Sequence, residues 1–450
     1  MEEQTKQKSD FQLAVIHHHT AAVDVGSMMM MVAYTDKEDN QRLLEVNAYT
    51  DDLEKFAKII KADGIERVAM EATGVYWMAL YELLERHGFK VTLVNPKHFK
   101  NVDAQKTDVK DCQWLQQLHA HGLLRSSHIA PELFRELRSY LHERNTLQNQ
   151  KSDVLNRIQR VLTQMNIKVQ HLISDIEGVS GMLLLQGIAK GITNPEELLS
   201  LIDIGKLKAE KEDLLKSLKG VYKKQYISIL RNLLESHDFF KKQMKNYELL
   251  IEEVLQKIIP KDENGNTPTI KKKTTQPRKN QYSINVKQYL LNIVEVDLTR
   301  ITGLDEKTIL DIISITGTDM SKWPTADHFA SWLNLNARPK ITGGKVFGYS
   351  HRFTNNVATQ AFRMAAQTMW KNKGYLGQLY RRLSAQKGSK KAIKAVARRL
   401  SIIFYTMLKS KTEFDPKRLK IDTDKQNERK IKYLQLEAAK YGLILQKAAG

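Results

Sequence analysis

The chain has 450 residues, an apolar fraction of 42% and a formal net charge of +20 at neutral pH. These values exclude general disorder and suit roughly two to four domains. No run reaches the roughly 18 apolar residues of a membrane span. The lone cysteine, Cys112, excludes an intramolecular disulfide and a Cys-rich zinc site.

Residues 1–16 read as a loose polar tail rather than a signal peptide, so a cytosolic protein is expected. His17-His18-His19 follows; such a tract is weak evidence for metal. Two short apolar runs, 20–25 and 28–35, joined near Gly26-Ser27, predict a β-hairpin, and 43–49 a third strand. Leu53, Phe56, Ile59 and Ile60 have helical spacing, predicting a helix over 51–62 with Thr50 or Asp51 as N-cap. A buried-type strand over 67–71, a helix over 75–87 ended by Gly88 and a strand over 90–95 complete the pattern. Three strands followed by alternating helices and strands suit an α/β domain of ribonuclease-H-like type over 17–130.

From Leu133 the period changes. Leu137, Arg144, Lys151, Ile158 and Met165 belong to one heptad seam, and Leu233, His237, Met244, Ile251 and Ile258 to another. Arg144, Lys151 and His237 interrupt them. They predict long helices over 131–260, packed within a chain or between chains, with a turn-rich connection over 187–206. Residues 261–290 contain a basic, Gly- and Pro-bearing loop. A mainly helical part follows over 291–412. Gly303 and Gly317 punctuate a helix–turn–helix pattern, a common backbone-phosphate binder. Residues 334–349 read as a loop containing Thr342-Gly343-Gly344-Lys345. Helices are expected over 355–370, 375–385 and 391–408, and a last amphipathic helix lies within 413–450.

Most of the net charge sits in this helical part. Between His328 and Thr412 there are 17 Lys or Arg and no Asp or Glu. Solvated faces normally carry both signs, so a phosphate-binding surface is the better reading. Trp323, Trp332, Phe347, Tyr349 and Tyr375 lie among these cations, as core residues or as base-stacking groups.

Four acids stand out in the first domain. Asp24 lies in an apolar strand, where an ionised carboxylate is costly without a partner or metal. Glu71 ends a strand, and Asp108 and Asp111 share one face of a helix. Four such carboxylates can hold Mg²⁺ (or Mn²⁺) for phosphate chemistry. Each also has a plainer reading, as a helix cap or an ion-pair partner.

The segments Asp24-Val25-Gly26-Ser27, Ala69-Met70-Glu71-Ala72-Thr73-Gly74-Val75-Tyr76-Trp77 and Lys106-Thr107-Asp108-Val109-Lys110-Asp111-Cys112-Gln113-Trp114-Leu115 closely resemble insertion-sequence transposases of the 110 family, its 1111 subgroup in particular. Shorter matches run from Thr163-Gln164-Met165-Asn166 to Phe329-Ala330-Ser331-Trp332-Leu333. The resemblance implies a RuvC-like domain, long coiled-coil helices and a mainly helical C-terminal transposase domain. The family's Asp-Glu-Asp-Asp tetrad maps to Asp24, Glu71, Asp108 and Asp111. Its nucleophilic serine falls in the Thr342-Gly343-Gly344-Lys345 loop, where this chain has threonine. Three readings follow: Thr342 is the nucleophile, the loop is silenced, or Ser350 or Ser331 replaces it. Arg352, Arg363, Arg381, Arg382, Lys390, Lys391, Lys394, Arg398 and Arg399 are the expected phosphate contacts, with Gly343, Gly344 and Lys345. Implied partners are donor and target double-stranded DNA, a structured bridge RNA and a second copy or more, as dimer or tetramer, with no membrane. The implied setting is the bacterial or archaeal nucleoid. A metal-dependent junction nuclease and a non-enzymatic nucleic-acid binder are the alternatives.

Overall fold

The computed structural model describes residues 14–95, 108–271, 273, 280–350, 356–415 and 423–444. They belong to two compact units, Met1–Ile129 and Ala130–Gly450.

The first unit is an α/β sheet. Its elements are β1 (Thr20–Asp24), β2 (Met29–Thr35), β3 (Gln41–Asn47), α1 (Thr50–Ala62), β4 (Arg67–Glu71), α2 (Trp77–Arg86), β5 (Lys90–Val94) and α3 (Asp108–Ala120). The strand order is β3-β2-β1-β4-β5. The first three strands pair antiparallel, and β4 and β5 continue parallel to β1. Strand alternation separates two faces. Ala21, Val23, Val68 and Met70 share a core with Leu53, Phe56 and Ile60 of α1 and Leu80 and Leu84 of α2. Ala22, Ala33, Ala69 and Val94 instead meet Cys112 and Leu115 of α3. Three alanines on that face leave room for a helix to approach closely. The N-cap of α1 is Tyr49, without a side-chain cap bond. Thr50, expected there, is the first helical residue, and Asp51 and Asp52 favour the helix start through its dipole.

The second unit is mostly helical. It opens with α4 (Glu132–Gln164), α5 (Val179–Ala189), α6 (Pro195–Ser200), α7 (Lys211–Leu218) and α8 (Lys224–Ile258). Next come α9 (Val286–Val294), α10 (Glu306–Thr316), α11 (Ala326–Trp332), β6 (Arg338–Thr342) and β7 (Lys345–Ser350). The last elements are α12 (Val357–Thr368), α13 (Tyr375–Lys387), α14 (Ser389–Ser410) and α15 (Thr423–Lys440). The two long seams meet within one chain. Tyr140 faces Tyr247 and Arg144 faces Glu248, while Lys151 and His237 share Glu177, so α4 and α8 run antiparallel. One end of the pair packs with α5–α7. The other end contributes Leu137, Leu141, Ile251 and Val254 to the core built by α9–α14.

The polar interruptions of the seams are buried and paired. Arg144 is fully buried. Its Nε and Nη2 donate to Glu248 Oε1 at 2.8 and 2.6 Å, and Nη1 to Gln148 Oε1 at 3.2 Å. The Tyr282 ring lies 3.9 Å from the guanidinium carbon. Glu248 Oε2 accepts from Ser283 N and Oγ at 2.8 and 2.5 Å. Two turns along α4, Lys151 donates to Glu177 Oε1, and His237 Nε2 lies 3.2 Å from the same oxygen.

Two sequence expectations need correction. The stretch read as a loop over 334–349 contains a β-hairpin, β6–β7. Its signal was present: a Gly-Gly pair flanked by Ile341-Thr342 and Val346-Phe347, β-branched and aromatic residues of strand type. The first arm of the expected helix–turn–helix is a single 3-10 turn, Leu298–Arg300. The Gly303 turn after it packs on α12, where an added Cβ would stand 2.6 Å from Met369 Cε and 3.1 Å from the Ala365 carbonyl oxygen.

Two stability tests follow. Arg144→Met should cost about 3–5 kcal/mol in denaturant unfolding, because it leaves Glu248 charged and buried. Arg144→Met combined with Glu248→Leu should cost less than Arg144→Met alone; an additive double variant would refute the pairing. On α10, burial pushes the Asp311 carboxyl up to about 6 from 3.8, against the pull of Lys307, Asn145 and Arg144. Below both values the group is neutral in folded and unfolded chains and costs nothing. As pH rises through about 6 the folded state must hold the charge, losing about 3 kcal/mol. Asp311→Asn should therefore raise the melting temperature at pH 7–8 and leave it unchanged near pH 3.

Candidate active site

The site in the first unit is built by the docking of α3 on β1. Cys112 Sγ lies 3.2 Å from the carbonyl oxygens of both Ala22 and Met31. One turn later, Gln116 Nε2 donates to Thr35 Oγ1 at 2.8 Å and reaches the Thr20 carbonyl at 3.5 Å. Four helical residues span about 6 Å, and two strand residues about 6.6 Å. The helix therefore runs antiparallel to β1 in matched register, 116 over 20 and 112 over 22. One turn back, position 108 falls level with Asp24.

Asp24 and Glu71 are the last residues of neighbouring parallel strands, one beyond the paired Val23 and Met70. By alternation Asp24 shares the face of Ala22, and Glu71 that of Ala69, which is the face α3 covers. Positions 108, 111, 112 and 115 form one stripe of α3, and Cys112 and Leu115 of that stripe are buried against the sheet. Two strand ends and the start of α3 thus lie at the same edge of the sheet. Glu71 is only 5% exposed, and its Oε1 accepts from Thr73 Oγ1 at 2.9 Å. Gly26 closes the turn just after Asp24: a Cβ there would lie 2.2 Å from the Met29 carbonyl oxygen, so no larger residue fits.

The donor set, carboxylate oxygens only, suits hard divalent cations. Among the described side chains no group of three His, Cys, Asp or Glu is close enough to hold a metal ion. The Asp108 side chain lies outside those described. His17, His18 and His19 form no such group either; His17 faces His119 across 5.8 Å between ring centroids. Burial first, then His17 and Arg67, push the His119 imidazole down to about 4, so it stays neutral.

In the second unit Thr342 ends β6 and Lys345 begins β7, paired across Gly343-Gly344. Both glycines have positive φ, 54° and 75°. A two-residue I′ hairpin turn requires that combination. Thr342 and Lys345 are exposed, so the hydroxyl sits at the hairpin tip beside a cation. Ser331 is half-buried on α11. The Ser350 side chain and Arg352 lie outside the described residues.

The remaining expected cations divide into two sets. Arg363, Arg382, Lys390 and Lys391 are exposed, and Arg399 is half-buried. Burial and the nearby Arg363 hold the Lys394 ammonium below its ordinary value, which marks a crowded basic patch of α12 and α14. Two others already serve the fold. Arg381 Nη1 donates to the carbonyls of Trp370 and Asn372 at 2.9 and 2.8 Å, closing the turn before α13. Arg398 pairs with Asp327 at 2.7 Å. Of the aromatics, Trp323 packs at 5.0 Å from Phe329 and from Trp332 in the core. Sequence reasoning missed Cys112 and Gln116 as the pins that set the helix register. The alanines at 22, 33 and 69 were the available signal.

Residues 21–167 match a family model described as a transposase, of the DEDD type of IS110. Residues 297–382 match one described as transposase, IS116/IS110/IS902 family. No curated protein matches the chain.

Burial pushes the Cys112 thiol up to about 12. The native protein should resist a disulfide-exchange reagent at pH 8 and react with one equivalent only on unfolding. Rapid native labelling would show that α3 is not docked as described.

Proposed function

Because the chain carries transposase domains of the IS110 family, we propose that it is a transposase of a mobile element that cuts and rejoins DNA through a covalent ester on Thr342. It is a DNA-processing enzyme by its domains; the nucleophile, the metal and the RNA are our reading. The α3 register supports that reading, because it sets the start of α3, with positions 108 and 111, at the sheet edge where Asp24 and Glu71 end their strands. The strand order β3-β2-β1-β4-β5, antiparallel and then parallel, supports a ribonuclease-H-like, RuvC-type first domain.

Asp24, Glu71, Asp108 and Asp111 would hold Mg²⁺ or Mn²⁺, which when bound neutralises phosphate charge. Thr342 Oγ1 attacks the phosphorus, and the displaced DNA oxygen takes up a proton as it leaves. Return of a DNA hydroxyl releases Thr342 and reseals the strand, so no ATP is needed. The Gly-Gly turn keeps the tip free of side chains beside the hydroxyl, and Lys345 offsets phosphate charge. Arg363, Arg382, Lys390, Lys391, Lys394 and Arg399 bind backbone phosphates. A structured bridge RNA from the element matches donor and target. Copies of the chain, as dimer or tetramer of the 1111-subgroup type, bring tetrad and hairpin tip together. The acid-free block of 17 cations supports binding of more than one nucleic-acid strand.

The test mixes protein, RNA from the element's flanks, end-labelled donor and target DNA and Mg²⁺, followed by a denaturing gel. A protein–DNA adduct is expected for the unmodified chain and for Thr342→Ser. None is expected for Thr342→Ala, and Asp24→Asn should reduce adduct at least about a hundredfold. Adduct that survives in Thr342→Ala would remove threonine from the reaction. Adduct only in Thr342→Ser would identify a silenced chain whose fold and binding are intact.

A further inference from the structure

The β6–β7 hairpin carries an irregularity close to its tip. Lys340 pairs with Gly348 and Ile341 with Val346, so Phe347 is an extra residue on β7, a β-bulge. Bulges re-aim a side chain and are frequent beside active sites. Phe347 is 67% exposed, and its neighbours Ile341 and Val346 are 59% and 52% exposed. Among the described residues β6 and β7 form a sheet of their own, with no third strand. The span Arg338–Ser350 carries Arg338, Lys340 and Lys345 and no acid. An apolar side chain held in water on a cationic ribbon is poorly explained by folding, since it buries little there. It is well explained by an anionic partner with an apolar interior, which is what stacked bases between phosphate rails provide.

We propose that Phe347 is a wedge that enters the base stack of duplex DNA, a positioning residue for the strand held at the hairpin tip. The inference rests on the reading of Thr342 as the group at the reacting phosphate. Phe347 lies two residue steps, about 7 Å, down the hairpin from Lys345. Nucleotides along one strand are spaced by about 3.4 Å, so the ring opens a step about two nucleotides from the phosphate at the tip. Lys340 and Lys345 hold the rails on either side. Unstacking loosens the backbone where the attacking oxygen, the phosphorus and the leaving oxygen must come into line.

Permanganate footprinting tests this, because it oxidises thymines only where they are unstacked. The probe is an AT-rich 60-base-pair duplex at protein concentrations that saturate it by fluorescence anisotropy. The unmodified chain should create hyper-reactive thymines. Phe347→Ala should lose them while still binding the duplex, Phe347→Trp should restore them, and Val346→Thr should keep them. An unchanged thermal melt shows that each variant is folded. Equal thymine reactivity in the unmodified chain and Phe347→Ala overturns the wedge. Binding without any unstacking by the unmodified chain overturns it too, while leaving the transposase reading to the adduct assay. No binding to the duplex overturns the wedge as well, and the adduct assay, which includes the RNA, decides the transposase reading separately. Loss of the Phe347→Ala effect from DNA together with its appearance on a structured RNA hairpin would reassign the surface to RNA and also overturn it.

Discussion

A fully buried guanidinium sets the terms for the larger unit. Arg144 occupies a seam position where an apolar residue would pack without desolvation cost. The charge is tolerable only because Glu248 accepts two of its N–H groups and Tyr282 covers its face. Glu248 in turn receives the backbone and hydroxyl of Ser283. One ion pair therefore fixes three things: the register of α4 on α8, the antiparallel sense of that pair, and the entry of the chain into α9. An all-apolar seam would tolerate slippage by a turn. A buried ion pair does not, since each shifted register strands a charge. The core built by α9–α14 is anchored to the long helices at that point, and the basic helices α12 and α14 are part of that core.

The smaller unit faces a different problem, which is to carry carboxylates at the end of an apolar sheet without losing the fold. Its strands place Asp24 and Glu71 at their ends, so each charge sits at the rim of an apolar sheet. The apolar stretch of each strand pays the folding cost well before the acid is reached. The helix that brings the other two acids is held at Cys112 and Gln116, one and two turns away from position 108.

Much of this was legible beforehand. Five strands and two of the three helices of the first unit follow from period-2 and period-3.6 patterns, and Asp24 was conspicuous because charges are rare in such runs. The two long helices were visible as heptads, and their polar interruptions were already marked. Less visible was the hairpin around Thr342, because the Gly-Gly pair reads equally as a loop. The basic residues could be counted but not sorted: Arg381 and Arg398 serve the fold through carbonyls and an aspartate far away in sequence.

The sequence by itself determined most strands and helices of the first unit, the two long helices of the second, where the acids lie and that positive charge gathers in the last third. Local spacing and composition carry that information, because each depends on residues within a few positions. Only the tertiary structure decided that α3 runs antiparallel to β1 with position 108 level with Asp24, that the two seams meet within one chain, and that Phe347 is extruded by a bulge. These depend on pairings between residues such as Cys112 and Ala22, or Arg144 and Glu248, 90 and 104 positions apart. Such pairings are set by which buried polar groups can be satisfied together, and no local pattern encodes that.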